Sequence, residues 1–185
     1  ELSGGWKYYL DEAEQEPEVE AQLAELRKEY KTIKPEEIKV IDPCMGSGHI
    51  LVYAFDVLMQ IYTSAGWNQR EAARSILRNN LHGLDIDDRA AQLAYFAVMM
   101  KARQYDRRIL STGVQPNLFA IRESNRIDEE VIKYFHNGNP ELKAAIESVI
   151  DDMRDAKEYG SILSVRKVDF ERLYARFAEI ADDVD

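Results

Sequence analysis

The sequence predicts an α/β fold built on a parallel sheet, and three observations carry that prediction. Short apolar stretches at 38–42, 81–87 and 114–121 have strand character, and helical patterns fill the gaps between them. A glycine turn joins the first stretch to a long apolar helix. Strand, helix, strand, helix, strand is half of a doubly wound sheet, so a partial Rossmann-like doubly wound parallel sheet is expected. Beyond residue 125 the pattern turns helical and the expected fourth strand does not arrive. The chain therefore divides into a helical lead-in (1–37), the core half (38–123) and a helical insertion before the missing strand (124–185).

Each element has a local cause. Residues 11–37 are strongly charged, and Val19, Leu23, Leu26 and Tyr30 share one helical face, as in a solvated outer helix that Pro35 closes. "IKVID" (38–42) reads as a short buried strand. After the turn, Ile50, Leu51, Ala54, Phe55, Leu58 and Ile61 recur at helical spacing until Gly66. "NQRE" (68–71) offers an Asn cap with Glu at the third helical position. "LHGLDID" (81–87) is a second strand ending in acids, and Asp88 can cap the next helix, whose small apolar face is Ala91, Ala94, Tyr95, Val98 and Ala102. "VQPNLFAI" (114–121) is a third strand entered through Pro116. Asn139-Pro140 opens a helix expected to reach about Tyr159, and Asp169 caps a last one from Phe170 to about Ile180.

Composition narrows the function classes. At 185 residues and 45% hydrophobic content, the chain is one domain able to bury a core, with no apolar run of membrane-spanning length and no secretory-signal layout. The lone cysteine, Cys44, rules out an internal disulfide and suits a reducing, cytoplasmic setting. His49, His82 and His136 are scattered, so no metal site is expected. The formal charge of −10 is wrong for a broad grip on nucleic acid. Any DNA contact would have to come from parts not present here.

Two motifs carry chemistry. In open α/β sheets, ligands bind outside the carboxyl ends of the strands, where glycine lets the backbone come close. "DPCMGSG" (42–48) sits at the first such end and "GLDID" (83–87) at the second. Either Asp85 or Asp87 can accept hydrogen bonds from both hydroxyls of a ribose. Asp85 is favoured because it directly follows Leu84, while Asp87 is nearer the helix cap. The turn is not the dinucleotide G-x-G-x-x-G, since Leu51 occupies the third glycine position, and no Gly-Lys-Ser/Thr follows as in a phosphate loop. A nucleoside without a pyrophosphate fits, and S-adenosylmethionine (SAM) is the obvious member of that class. Asp42 would orient its amino end, Gly46 and Gly48 would allow close approach, and the segment around Asn117 and Leu118 would lie beside the adenine. Cys44 reads as a small loop residue, His49 as a first-turn helix residue, Met99-Met100 as packing and "DRR" (106–108) as a solvated helix end.

These residues resemble a known family. "VIDPCMGSGHILVYAFDVL", "NNLHGLDIDDRAAQLAYFAVMMKAR" and "VQPNLFAI" are similar to the N-terminal part of the methylase core in adenine-specific DNA methyltransferases, class I SAM-dependent enzymes. The likeness is strongest to the large methyltransferase of bacteriophage-exclusion (BREX) systems, followed by restriction-modification methylases. It runs from about Gly4 to Ile121 and weakens through 158–165. The resemblance implies that Asp42, Pro43, Cys44, Gly46, Ser47 and Gly48 hold the methionine half of SAM. Asp85, with Ile86 beside it, matches the ribose-binding acid, and Asn117 and Leu118 match the region near the adenine.

In that family the target adenine is flipped out of the duplex and its N6 attacks the SAM methyl group directly. An Asn/Asp-Pro-Pro-Tyr/Phe loop after the fourth strand positions the amino group. No such tetrapeptide occurs here: "GNPEL" (138–142) has one proline and precedes a helix. The upstream Phe-x-Pro segment is missing as well. The resemblance thus implies a cofactor-binding piece of an adenine-specific DNA methyltransferase, without catalytic residues of its own and inactive alone. Its expected setting is phage defence or restriction-modification, with DNA and defence-system proteins as partners of the whole enzyme. Two rivals are a SAM-dependent RNA methyltransferase acting on guanine N2 and a non-catalytic interaction module.

Overall fold

A computed structural model describes residues 5–10, 12–30 and 32–182. The expected lead-in falls partly outside them, at 1–4, 11 and 31. Contacts divide the chain into two compact units, Glu1–Phe119 and Ala120–Asp185.

The lead-in forms a shorter helix than its charge pattern suggests, α1 (Pro17–Tyr30), which buries none of its residues. It ends before Pro35, which instead opens a 3-10 turn over Pro35–Glu37. Strand β1 (Val40–Asp42) follows and runs parallel to β2 (Leu81–Asp85), pairing Val40 with Leu81, Ile41 with His82 and Asp42 with Gly83. β3 (Asn117–Ala120) flanks β2 on its other side, giving the order β1-β2-β3. The molecule is α/β, with a small parallel sheet and many helices.

Helix α2 (His49–Ser64) turns Leu51, Phe55, Leu58, Met59 and Tyr62 inward. Ile50, expected on that stripe, is 66% exposed, because the stripe starts one residue later. α3 (Gln69–Ser75) begins at the expected cap, with Glu71 N–H donating to Asn68 Oδ1 at 2.9 Å. It continues into a π turn over Ile76–Asn80 that no local pattern announces. The cause is Asn80, fully buried, whose Nδ2 donates to the carbonyls of Pro35 at 2.7 Å and Ile38 at 2.8 Å. Tyr62 Oη donates to Asn80 Oδ1 at 2.9 Å and lies 2.8 Å from Ser75 Oγ. Widening the last turn delivers Asn80 to these partners, and a π bulge is the means of doing so.

Helix α4 (Asp88–Tyr105) is capped by Asp87, not Asp88: Asp87 Oδ1 accepts the Arg89 N–H at 2.8 Å. Its buried face is Ala91, Ala94, Val98, Met99 and Ala102, small enough for α2 to pack closely against it. Asp106, expected in a solvated helix end, is buried. Arg74 Nε donates to it at 2.8 Å and the Arg108 N–H at 3.0 Å.

Leu81, Gly83 and Leu118 face the helices, whereas Ile41 and Phe119, on alternate positions, are 64% and 58% exposed. Side chains alternate across a strand, so the two faces are distinct: one is packed and the other largely open.

The second unit packs α5 (Glu129–His136), α6 (Pro140–Asp152) and α8 (Phe170–Asp182) around Phe135, Leu142 and Leu173. Asn139 and Asp169 act as the expected caps, accepting the Leu142 N–H at 3.1 Å and the Arg172 N–H at 3.0 Å. The helix expected to reach Tyr159 instead stops at Asp152 and resumes as α7 (Ala156–Tyr159). Asp155 sits in the left-handed region (φ 52°), where Asn125 grips it reciprocally: Asn125 Nδ2 donates to its carboxylate at 2.7 Å and its N–H donates back at 2.9 Å. A pairing thirty residues away overrides the helical pattern.

Candidate functional site

The loop after β1 is shaped by its own short residues. Cys44 N–H donates to Asp42 Oδ1 at 3.1 Å, turning the chain at Pro43. Met45 N–H donates to the Leu84 carbonyl at 3.0 Å, and Gly48 N–H closes a turn onto the Met45 carbonyl at 2.8 Å. Gly46 (φ 52°) and Gly48 (φ 80°) adopt left-handed backbone. They are held for different reasons. A Cβ on Gly48 would lie 3.0 Å from Ala94 of α4, so this glycine lets loop and helix touch. A Cβ on Gly46 would meet nothing within 4 Å. Space over Gly46 is open, as a bare backbone facing a ligand requires.

Asp85, the last residue of β2, joins the second strand end to the first. Its Oδ2 accepts the Gly46 N–H at 2.8 Å and its Oδ1 accepts the Asp87 N–H at 2.9 Å. A carboxylate has about four acceptor positions, so each oxygen keeps one more for a hydroxyl donor. Asp87 caps α4, its Oδ1 accepting the Arg89 N–H. Ile86, between them, is exposed. Cys44 is an exposed thiol, and His49 begins α2. The structure thus gathers Asp42, Pro43, Cys44, Gly46, Ser47, Gly48, Asp85 and Ile86 at the carboxyl ends of β1 and β2.

Asn117 and Leu118 do not join that group. Asn117 starts β3, and its Nδ2 donates to the carbonyl of Arg78 at 3.0 Å and of Leu77 at 3.3 Å, before β2 begins. Four residues of β2 separate that end from Asp85, about 13 Å at strand rise. Leu118 is buried beside Gly83. Both brace the sheet at this end. Gly83 and Met45, absent from the expected site, prove to be the floor under the loop. A glycine inside a strand marks close approach, and that signal was present in "LHGLD".

A groove of about 660 Å³ lies elsewhere, against the outer side of α2 between Trp6, Tyr53, Gln60 and Tyr105. None of the loop residues lines it. Asp56 on its wall is paired with Lys101 at 2.6 Å and accepts the Tyr105 hydroxyl at 3.0 Å, tying α2 to α4. Burial, and then Asp56 itself, push the Tyr105 phenol upward. Among the described residues no helix is long and apolar enough to cross a membrane.

The glycine loop and the strand-end acid meet at the carboxyl ends of a small parallel sheet, the region where open α/β sheets bind their ligands. Residues 11–132 match the family model for the MmeI DNA-methyltransferase domain, and the chain belongs to that family. Among curated proteins it is 54% identical over 123 residues to "Adenine-specific methyltransferase BrxX" of Escherichia coli O9:H4 (strain HS), and 42% identical over 162 residues to "Adenine-specific methyltransferase PglX" of Lacticaseibacillus casei (strain Zhang). These alignments cover 66% and 88% of the chain but only 10% and 13% of the relatives. A third relative, "Putative type II restriction enzyme and methyltransferase RM.MjaORFECS2P" of Methanocaldococcus jannaschii (strain ATCC 43067 / DSM 2661 / JAL-1 / JCM 10045 / NBRC 100440), is 38% identical over 65 residues, 32% of the chain and 6% of that protein.

Proposed function

We propose that this chain is the SAM-binding part of an adenine-specific DNA methyltransferase whose parent transfers a methyl group to N6 of adenine in DNA. The observation that carries the reading is the junction of the two strand ends: Asp85 holds the Gly46 N–H at 2.8 Å while the space above Gly46 stays open. The membership of the chain in a DNA-methyltransferase family supports it. So do the names of the two relatives, both adenine-specific methyltransferases.

In this reading Asp85 accepts hydrogen bonds from the ribose hydroxyls through its remaining lone pairs. Asp42, Pro43, Cys44, Gly46, Ser47 and Gly48 line the methionine half, with Ile86 beside the ribose. SAM supplies the electrophilic methyl group. The residues of this chain bind and orient it, and the group that positions the adenine amine lies outside residues 38–123. The three strands form half of a Rossmann-like, doubly wound class I sheet, and 124–185 is a helical insertion before its next strand. DNA is held by other parts of the parent, in keeping with the charge of −10 here. The setting is cytoplasmic phage defence, of BREX or restriction-modification type.

Titration calorimetry with SAM tests the reading. Saturable binding is expected for the wild type, weakened about tenfold or more by Asp85→Ala as hydroxyl contacts are lost. Equal heats for both proteins remove Asp85 from the site, and no heat from the wild type overturns cofactor binding by this chain. Transfer of labelled methyl groups to DNA by the chain alone would overturn the placement of the catalytic loop elsewhere.

A further inference from the structure

The loop has a floor, and Gly83 makes room for it. A Cβ at Gly83 would lie 2.5 Å from Met45 Sδ, 2.8 Å from Leu51 Cδ1 and 2.9 Å from Leu118 Cδ2. All three side chains are buried, so whichever gives way must do so against packed neighbours. They come from three places. Leu51 is fixed on α2 and Leu118 on β3, both in regular hydrogen-bonded backbone. Met45 belongs to the loop, tied by its N–H to Leu84 at 3.0 Å and by its carbonyl to the Gly48 N–H at 2.8 Å. Met45 is therefore the loop's anchor, with its side chain seated in the slot that Gly83 leaves empty.

We infer that Gly83 is a positioning residue for the glycine loop: its missing side chain sets the depth at which Met45 seats, and hence where Gly46 N–H meets Asp85. A methyl group at position 83 displaces the least anchored of the three neighbours, which is Met45. Gly46 is the next residue and moves with it, so the 2.8 Å bond to Asp85 opens. His82, the preceding residue of β2, pairs with Ile41 and alternates to the other face of the sheet, which makes it the control position. The inference deepens the SAM-binding reading and rests on it for the ligand only.

Amide hydrogen exchange and SAM calorimetry on the chain test it together. Gly83→Ala is expected to speed exchange at the Gly46 N–H about tenfold, with α2 and α4 amides little changed, because the opening is local. Met45→Ala, which removes the anchor, should speed it comparably, and adding Gly83→Ala to Met45→Ala should change that rate by less than about threefold, since no Met side chain is left to displace. His82→Ala should leave it unchanged. Affinity for SAM should follow the same order. Should Gly83→Ala fail to fold, Met45→Ala alone, which removes the anchor, must still speed exchange at Gly46. An unchanged Gly46 rate in Gly83→Ala or in Met45→Ala overturns the inference, as does a uniform acceleration over α2 and α4. If the exchange pattern holds but the wild type gives no heat with SAM, the cofactor reading falls and the positioning role stands.

Discussion

Asp85 and Gly46 are 39 residues apart in sequence and 2.8 Å apart in space, carboxylate to amide. With the Met45 N–H bond to the Leu84 carbonyl, this contact ties the carboxyl ends of β1 and β2 together. It also gives Asp85 a structural duty that exists before any ligand arrives. Replacing Asp85 by Ala strands the amides of Gly46 and Asp87, and is expected to cost about 2 kcal/mol in urea denaturation. Asp85→Asn keeps one acceptor oxygen and should cost about half as much.

The two loop glycines should respond differently to alanine. Gly48→Ala incurs both left-handed strain and collision with Ala94, for an expected loss of about 3 kcal/mol. Gly46→Ala faces open space and should cost only the backbone strain, about 1 kcal/mol. Its larger effect should appear in SAM affinity. Chemical denaturation and calorimetry on the same pair of variants separate the two.

The buried Asn80 network predicts a cost at Tyr62. Tyr62→Phe removes the donor to buried Asn80 Oδ1, while Ser75 Oγ keeps the Asn79 Nδ2 donor at 3.0 Å. A loss of about 2 kcal/mol is expected. Exchange at the amides of the Ile76–Asn80 turn should quicken with it.

Asp106 predicts a dependence on acid. Burial raises its pKa, but the Arg74 hydrogen bond, the Arg108 amide and the charges of Arg74 and Arg70 together outweigh burial and hold it below the ordinary value. A carboxyl lowered in the folded state stabilises fully above its unfolded pKa of about 4, and that contribution fades as pH falls through the folded value. The stability gap between wild type and Asp106→Asn should therefore be widest near neutral pH and narrow below about pH 4. Arg74→Ala, which leaves a buried charge without its main partner, should cost on the order of 3 kcal/mol near neutral pH.

What could be read from the sequence was what short spacings control. The inward stripe of α2, the Asn68, Asn139 and Asp169 caps and the glycine turn all follow from residues within four positions of one another. What could not be read depends on distant partners. The π turn exists because Asn80 reaches Pro35 and Ile38, and α6 breaks because Asn125 captures Asp155. The bracing contacts of Asn117 are hidden for a related reason. Its partners, the carbonyls of Leu77 and Arg78, are about forty residues back and leave no mark on "VQPNLFAI". Asp85 bridges the loops and Asp87 caps the helix, one residue before the cap expected at Asp88.

The open face of the sheet has a consequence for handling the protein. Among the described residues β1 stands at the end of the strand order, with a strand on one side only, and Ile41 is exposed on its open face. Such an edge is where polypeptides add to one another into aggregates. Two features restrain it here: the strand is three residues long, and Lys39 and Asp42 place opposite charges at its ends. Self-association at high concentration should therefore be weak and reversible, and Ile41→Thr is the substitution that reduces it while sparing every residue of the loop.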